Sequence, residues 1–219
     1  MATSRGADSG ADVDAMAMAH DERASLVTLL ESLTSEQWDA PTLCERWRVR
    51  EVVAHMFSYD ELSTLGALGR LLRNGMSLDR ANIAGLARYA DHTPAQLLAL
   101  ARKHLHPSGL TAKFGGRIAL ADAMIHQQDI RRPLGLPRQI PADRITTVLE
   151  FASTARPLGA APRIAGLQLT ATDVEWSHGE GPEVRGPAEP LLMAMVGRRG
   201  ITSELDGTGV AALEGRIAA

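Results

Sequence analysis

Apolar residues recur at helical spacing through the first two thirds of this chain, and this periodicity constrains the fold most strongly. It predicts a first helix that ends near Thr34 and carries Leu26, Leu29, Leu30 and Leu33 on one face. It then predicts a short turn of helix at 35–38 and helices over residues 49–72, 94–104, 117–132 and 141–155. Helices in such a series predict a bundle, in which side chains on facing helices build any site.

The pattern changes from about residue 156, where prolines and glycines mark a linker. Residues 167–172 alternate between apolar and polar types, which indicates a half-buried strand. Residues 174–178 are predicted to continue this strand, and residues 183–185 to form a short second strand. Helices are predicted at 187–196 and 210–217. The predicted fold class is therefore α+β. A four-helix bundle over residues 13–155 is followed by a small α/β module over residues 163–219, and residues 1–12 form a disordered tail.

Composition narrows the functional classes. The chain has 219 residues and a net charge of -3, which gives no electrostatic case for binding nucleic acid or an anionic membrane. Its apolar stretches fall far short of the ~20 residues that cross a bilayer, and its start lacks a secretory signal. A single cysteine, Cys44, excludes an internal disulfide and a multi-cysteine metal site. We expect a cytoplasmic protein that acts on a small molecule, as a monomer or a homodimer.

One pair of residues on the predicted fourth long helix is typical of a metal site. Asp122 and His126 are four residues apart, so they lie on the same face of that helix. A third ligand from another helix would complete a facial set and leave positions open for chemistry, and His55 is a candidate. The alternative is that both histidines are satisfied polar residues inside a bundle and that Asp122 is exposed.

Several segments together resemble a known family. Residues 33–38, 41–47 and 49–55 resemble the opening of the DinB-like maleylpyruvate isomerase family, the mycothiol-dependent group from actinobacteria. Residues 126–135 resemble the second metal segment of that group, and residues 169–187 contain two motifs of its small C-terminal, sterol-carrier-like domain. The resemblance implies a DinB-like four-helix bundle that binds a divalent metal, usually zinc, together with the α/β module.

The resemblance also implies roles for particular residues. By position, the metal ligands are His55, Asp122 and His126. Asp122 is shorter than the glutamate that is common in the family, so direct and water-mediated contact with the metal both stay open. The implied activity is metal-assisted activation of the thiol mycothiol as co-substrate. The thiol would serve S-transfer or isomerisation of a small electrophile, as in a transferase or an isomerase.

Four further residues are candidates for the site. Asp129 lies on nearly the same face as His126 and could orient a ligand or a metal-bound water as part of the catalytic machinery. Arg131 and Arg132 could bind a carboxylate of the substrate or the thiol cofactor, although such a pair also suits the negative end of a helix dipole. Arg185 could close over the site from the C-terminal module as a catalytic group, or be a plain surface arginine.

Cys44 permits two interpretations, a nucleophilic thiol near a helix start or a small buried hydrophobe, and the second is favoured because the expected thiol arrives from outside. Two other functions stay open for the whole chain. One is a non-catalytic protein that binds a small apolar or anionic ligand. The other is a metal-dependent hydrolase that uses water and needs no thiol.

Overall fold

The computed structural model describes residues 8–218 of the chain, with side chains described from residue 15 onward. The chain divides into two compact units between Pro137 and Arg138. Of the tail predicted for residues 1–12, residues 1–7 lie outside the described residues. The first helix begins at Asp8. The first unit contains α1 (Asp8–Ser32), α2 (Ser35–Trp38), α3 (Val49–Ser58), α4 (Thr64–Arg73), α5 (Leu78–Leu86), α6 (Pro94–Lys103) and α7 (Arg117–Arg131).

Four of these helices form the predicted bundle. Helix α1 packs against α6 and α7, and α3 packs against the same two helices. Their apolar faces meet in a core that includes the fully buried residues Leu26, Leu30, Val53, Phe57 and Leu97. The fold class predicted from periodicity is confirmed for this unit, and facing positions on α3 and α7 are brought together inside it.

The single helix predicted over residues 49–72 is wrong, because the chain breaks between α3 and α4. Asp60 is buried at the break, where its carboxylate accepts hydrogen bonds from Arg23 and from the backbone of Ser108. Ser63 then caps α4 by accepting a hydrogen bond from the backbone of Gly66 at 3.1 Å. Helix α5, which periodicity did not predict, packs against α4 and α3.

The second unit contains the predicted α/β elements. Its helices are α8 (Ala142–Thr154), α9 (Ala160–Ile164), α10 (Ala188–Met195) and α11 (Val210–Ala218), and its strands are β1 (Gln168–Ala171), β2 (Ser177–His178) and β3 (Glu183–Gly186). Strand β1 lies between β2, which is antiparallel to it, and β3, which is parallel. Leu169 and Val184 are paired across β1 and β3 and are both fully buried.

The division between the units differs from the predicted boundary after residue 155. Helix α8 belongs to the second unit, where it packs against α9 and α10. Its buried side is apolar and includes Ile145, Val148 and Leu149. Pro133 and Pro137 end the bundle just after α7, which is the local signal for the break. Among residues 8–218, every helix is too short or too polar to cross a membrane.

Candidate metal centre

The three ligands predicted for a metal lie together between two helices of the bundle. His55 comes from α3, and Asp122 and His126 come from successive turns of α7. Asp122 Oδ1 is 3.9 Å from Nε2 of His55 and 3.5 Å from Nε2 of His126. The two imidazole rings meet edge to face, with their centroids 5.1 Å apart. One donor atom from each residue thus lies within 4.8 Å of the other two.

This donor set fits a divalent ion. Two ligands that bind zinc tetrahedrally are about 3.4 Å apart, given bonds of roughly 2.0–2.1 Å. The distances from Asp122 to the two histidines require only small side-chain movements to reach that value. Both histidines are buried, whereas 24% of the Asp122 side chain is exposed. The group therefore has an open side through which a further ligand can enter.

His126 is held from behind by a buried carboxylate. Its Nδ1 atom is 2.8 Å from Oδ2 of Asp129, and Asp129 is fully buried. When Nδ1–H donates a hydrogen bond to Asp129, the lone pair of Nε2 points to the side where Asp122 lies. This is the arrangement by which proteins fix the tautomer and ring orientation of a metal-binding histidine.

The electrostatics of the group favour a cation among the three side chains. Burial disfavours the charged form of His126. The hydrogen bonds with Asp129 and Cys44 and the charge of Asp122 outweigh that effect, and they raise the histidine pKa well above 6.5. Burial also raises the pKa of Asp122, and the charges of His126 and Arg23 oppose that rise only in part. A metal ion would replace the proton as the positive charge that both side chains favour.

Cys44 lies in the same site, which the favoured sequence interpretation did not anticipate. Its Sγ atom is 3.1 Å from Oδ2 of Asp129, the atom that also contacts His126, and 3.7 Å from Nδ1 of His126. The backbone assists this placement, because the amide of Leu43 donates to the carbonyl of Asp129 at 3.1 Å. Cys44, His126 and Asp129 form a second group with metal-ligand chemistry, and it shares His126 with the first.

Aromatic rings form the wall around His55. The ring of Trp47 lies 4.7 Å from the His55 ring, between centroids. The ring of Tyr59, one helical turn after His55, is nearly perpendicular to the imidazole, with centroids 5.9 Å apart. The sequence analysis did not single out Tyr59, although its spacing of four from His55 places it on the same face of a helix.

The three predicted arginines have different surroundings. Arg131 ends α7, is partly buried, and donates to Oε1 of Gln127 at 2.9 Å and to the carbonyl oxygen of Leu136 at 3.4 Å. Arg132 follows it and is also partly buried. Arg185 is an exposed residue of β3 in the second unit, where its backbone pairs with that of Asp206. The cofactor-binding and catalytic roles predicted for these residues remain predictions.

Comparison with known proteins bears on the first unit directly. Residues 19–105 match the family model described as the mycothiol maleylpyruvate isomerase N-terminal domain. This part of the chain is similar to that domain. The matched segment contains Cys44 and His55, whereas Asp122, His126 and Asp129 follow it. No curated protein matches the chain.

Two solved structures share the fold. A crystal structure of a mutant of the mycothiol-dependent maleylpyruvate isomerase has a TM-score of 0.58 and 14% identity, over 89% of this chain and 92% of that one. A second crystal structure of the mycothiol-dependent maleylpyruvate isomerase has a TM-score of 0.55 and 12% identity over the same shares. The predicted resemblance is confirmed. At 12–14% identity, the two solved structures show that this chain shares their fold.

Proposed function

We propose that this protein is a metal-dependent enzyme that activates mycothiol for isomerisation of, or S-transfer to, a small electrophilic substrate. The observation that carries the proposal is the convergence of His55, Asp122 and His126, with one donor atom from each within 4.8 Å of the others. The similarity of residues 19–105 to that domain supports the thiol as co-substrate.

Each residue has a defined part in this proposal. His55, Asp122 and His126 would hold the ion, for which zinc is the first candidate because two imidazoles and one carboxylate suit it. Bound there, the metal would supply a positive charge that lowers the pKa of an incoming thiol, so that the nucleophilic thiolate exists at neutral pH. Asp129 accepts a hydrogen bond from Nδ1–H of His126, which leaves Nε2 as the atom that would bind the metal.

The remaining residues of the site position the reactants. The partly exposed edge of Asp122 marks the side from which thiol and substrate would approach. Trp47 and Tyr59 flank His55 with apolar ring surface, which limits water around it. Water near the site would compete with the thiol as a nucleophile, so its exclusion favours thiol chemistry over hydrolysis.

The first experiment is elemental analysis of untagged protein, with wild type beside His126→Ala. We expect about one divalent metal per chain in wild type and none in His126→Ala, with helical content retained by circular dichroism. His106→Ala is the matched control, since His106 is an exposed residue outside the donor group. Wild-type protein without metal after incubation with zinc, nickel and manganese would contradict the proposal and favour a ligand-binding role.

A second experiment separates thiol chemistry from hydrolysis. Metal-loaded protein is incubated with maleylpyruvate and other small electrophiles, with mycothiol and without any thiol. Turnover that requires mycothiol is the expected result. Turnover at the same rate without thiol would instead assign the site to a hydrolase that uses metal-activated water.

A further inference from the structure

Arg70 contacts the same tyrosine ring, that of Tyr59, as the proposed metal ligand His55. The guanidinium of Arg70, on α4, lies over the ring of Tyr59 at 5.2 Å from the centroid. The same ring is nearly perpendicular to the ring of His55, with centroids 5.9 Å apart. A second route connects the two residues, because Nη1 of Arg70 donates to Oγ of Ser58 at 3.3 Å, and that hydroxyl donates to the carbonyl oxygen of His55 at 3.0 Å.

No carboxylate of the described residues neutralises this guanidinium. The buried Arg23 pairs with Asp60, and the exposed Arg102 pairs with Glu31. Within residues 15–218, the contacts of Arg70 are instead with neutral groups, the hydroxyl of Ser58 and the ring and hydroxyl of Tyr59. A partly buried guanidinium with five N–H donors thus has unused capacity for an anion.

A glycine on the neighbouring helix makes room for the guanidinium. Gly85 is buried in α5, and a Cβ atom at this position would collide with Nη1 of Arg70. Glycine inside a helix is less favourable than alanine, so the sequence gives up helix stability at the point where the Arg70 guanidinium lies. The guanidinium is therefore confined between Gly85 on α5 and Tyr59 at the end of α3.

We propose that Arg70 binds a carboxylate of the small anionic substrate whose reacting end lies at His55, Asp122 and His126. The planar guanidinium donates two parallel hydrogen bonds to a carboxylate, and this geometry fixes the orientation of the bound molecule. The inference rests on the proposed function and adds a residue outside the metal donor group that orients the substrate through its carboxylate. Arg70 is thereby a residue that determines specificity.

Protection of arginine side chains from phenylglyoxal tests the assignment on wild-type, zinc-loaded protein. Malonate, succinate and glutarate are the probes, and mass spectrometry of peptides reports modification at each arginine. We expect a dicarboxylate to slow modification of Arg70, and acetate to do so less, because a single carboxylate cannot bind the metal and the guanidinium at the same time. Arg73, exposed on the same helix, is the internal control and should react equally with and without the probe.

Two pairs of variants give the energetic test, with dicarboxylate affinity measured by calorimetry. Arg70→Met should weaken binding about 10–100-fold, the loss of hydrogen bonds to a charged group, and Arg73→Met should not. Gly85→Ala keeps the positive charge but displaces the guanidinium, so it should weaken binding as well. Gly69→Ala is its control, because a Cβ there meets only the end of the Arg73 side chain, at 3.8 Å.

Zinc content, measured on every sample, separates this inference from the proposed function. Zinc-loaded wild type that binds dicarboxylates no better than Arg70→Met would overturn the role of Arg70 and leave the metal-dependent function intact. If wild type holds no zinc, the proposed function fails. Protection of Arg70 by dicarboxylates in that protein would still support an anion site, and equal modification with and without them would overturn it.

Discussion

Oδ2 of Asp129 lies 2.8 Å from Nδ1 of His126, three residues earlier on the same helix, and Asp129 is fully buried. A buried carboxylate is costly unless it accepts hydrogen bonds, and both Nδ1–H of His126 and the thiol of Cys44 are within hydrogen-bonding distance of it. The helix therefore carries, within two turns, the proposed carboxylate ligand, the proposed histidine ligand and the group that orients that histidine.

Replacement of Asp129 with asparagine tests this relationship. An amide is a weaker acceptor than a carboxylate and does not fix the histidine tautomer, so zinc affinity should fall about 10–100-fold while the fold persists. Competition with a chromogenic chelator measures the affinity. Asp39→Asn, at an exposed acid paired with Arg48 and Arg50, is the control and should bind zinc as wild type does. Equal affinity in Asp129→Asn would show that the contact does not tune the ligand.

The two overlapping donor groups make opposite predictions for Cys44. If His55, Asp122 and His126 hold the ion, Cys44→Ala should retain about one metal per chain, and Asp122→Ala should lose most of it. Cobalt-substituted protein should then show no absorption from a thiolate ligand, because sulfur is not bound. Metal retained in Asp122→Ala and lost in Cys44→Ala would move the site to the group of Cys44, His126 and Asp129.

The sequence predicted α7 and its donor pair because both depend on local signals. Spacing of four places Asp122 and His126 on one face in any helix, and Pro133 ends that helix whatever packs around it. The place of Cys44 depends on a contact across 85 positions, with Asp129, and no periodicity in the chain contains that information. Its role as a neighbour of the site therefore appears only in the folded chain.

In the region between α3 and α5, the apolar spacing predicted the wrong structure. Leu65 and Leu68 continue the apolar spacing of α3, which predicts one long helix, yet their side chains are 80% and 49% exposed. The chain turns at Asp60 instead, because Arg23 and Ser108, both distant in sequence, bind its carboxylate. Tertiary hydrogen bonds to one buried acid thus override the helical pattern and bring Arg70 beside Tyr59.

The Arg23–Asp60 pair should be one of the largest single contributions to stability in the first unit. Both side chains are essentially unexposed, the guanidinium contacts both carboxylate oxygens at 2.9 and 3.1 Å, and Thr111 also donates to the carboxylate. Asp60→Asn leaves a buried cation without its partner, which costs about 3–5 kcal/mol in the free energy of unfolding. Urea denaturation measures this loss.

The exposed ion pair between Arg102 and Glu31 gives the comparison for that experiment. Its side chains are about half exposed, and Glu31→Gln should change the free energy of unfolding by less than about 1 kcal/mol. If Asp60→Asn were as mild as Glu31→Gln, the buried pair would contribute no more than a surface pair. The break between α3 and α4 would then need another cause.

Glu61, the residue after the buried Asp60, should make the stability of the fold depend on pH. Hydrogen bonds from Lys103 and then His104 lower its pKa below the ordinary value of 4.5. A lowered pKa in the folded state means that the contribution is complete above pH 4.5 and disappears as the pH falls through the folded-state pKa. Glu61→Gln should therefore be less stable than wild type by about 0.5–1 kcal/mol at pH 7, and the difference should shrink below pH 4.5.

Urea denaturation of wild type and Glu61→Gln at several values between pH 7 and pH 3 measures that difference. Glu150→Gln, at an exposed acid of α8, is the control and should follow wild type across the range. A deficit in Glu61→Gln that stays constant down to pH 3 would mean that the carboxylate charge is not what binds Lys103 and His104. The deficit would then come from hydrogen bonds that the protonated acid keeps and the amide does not, and the pKa of Glu61 would have no part in it.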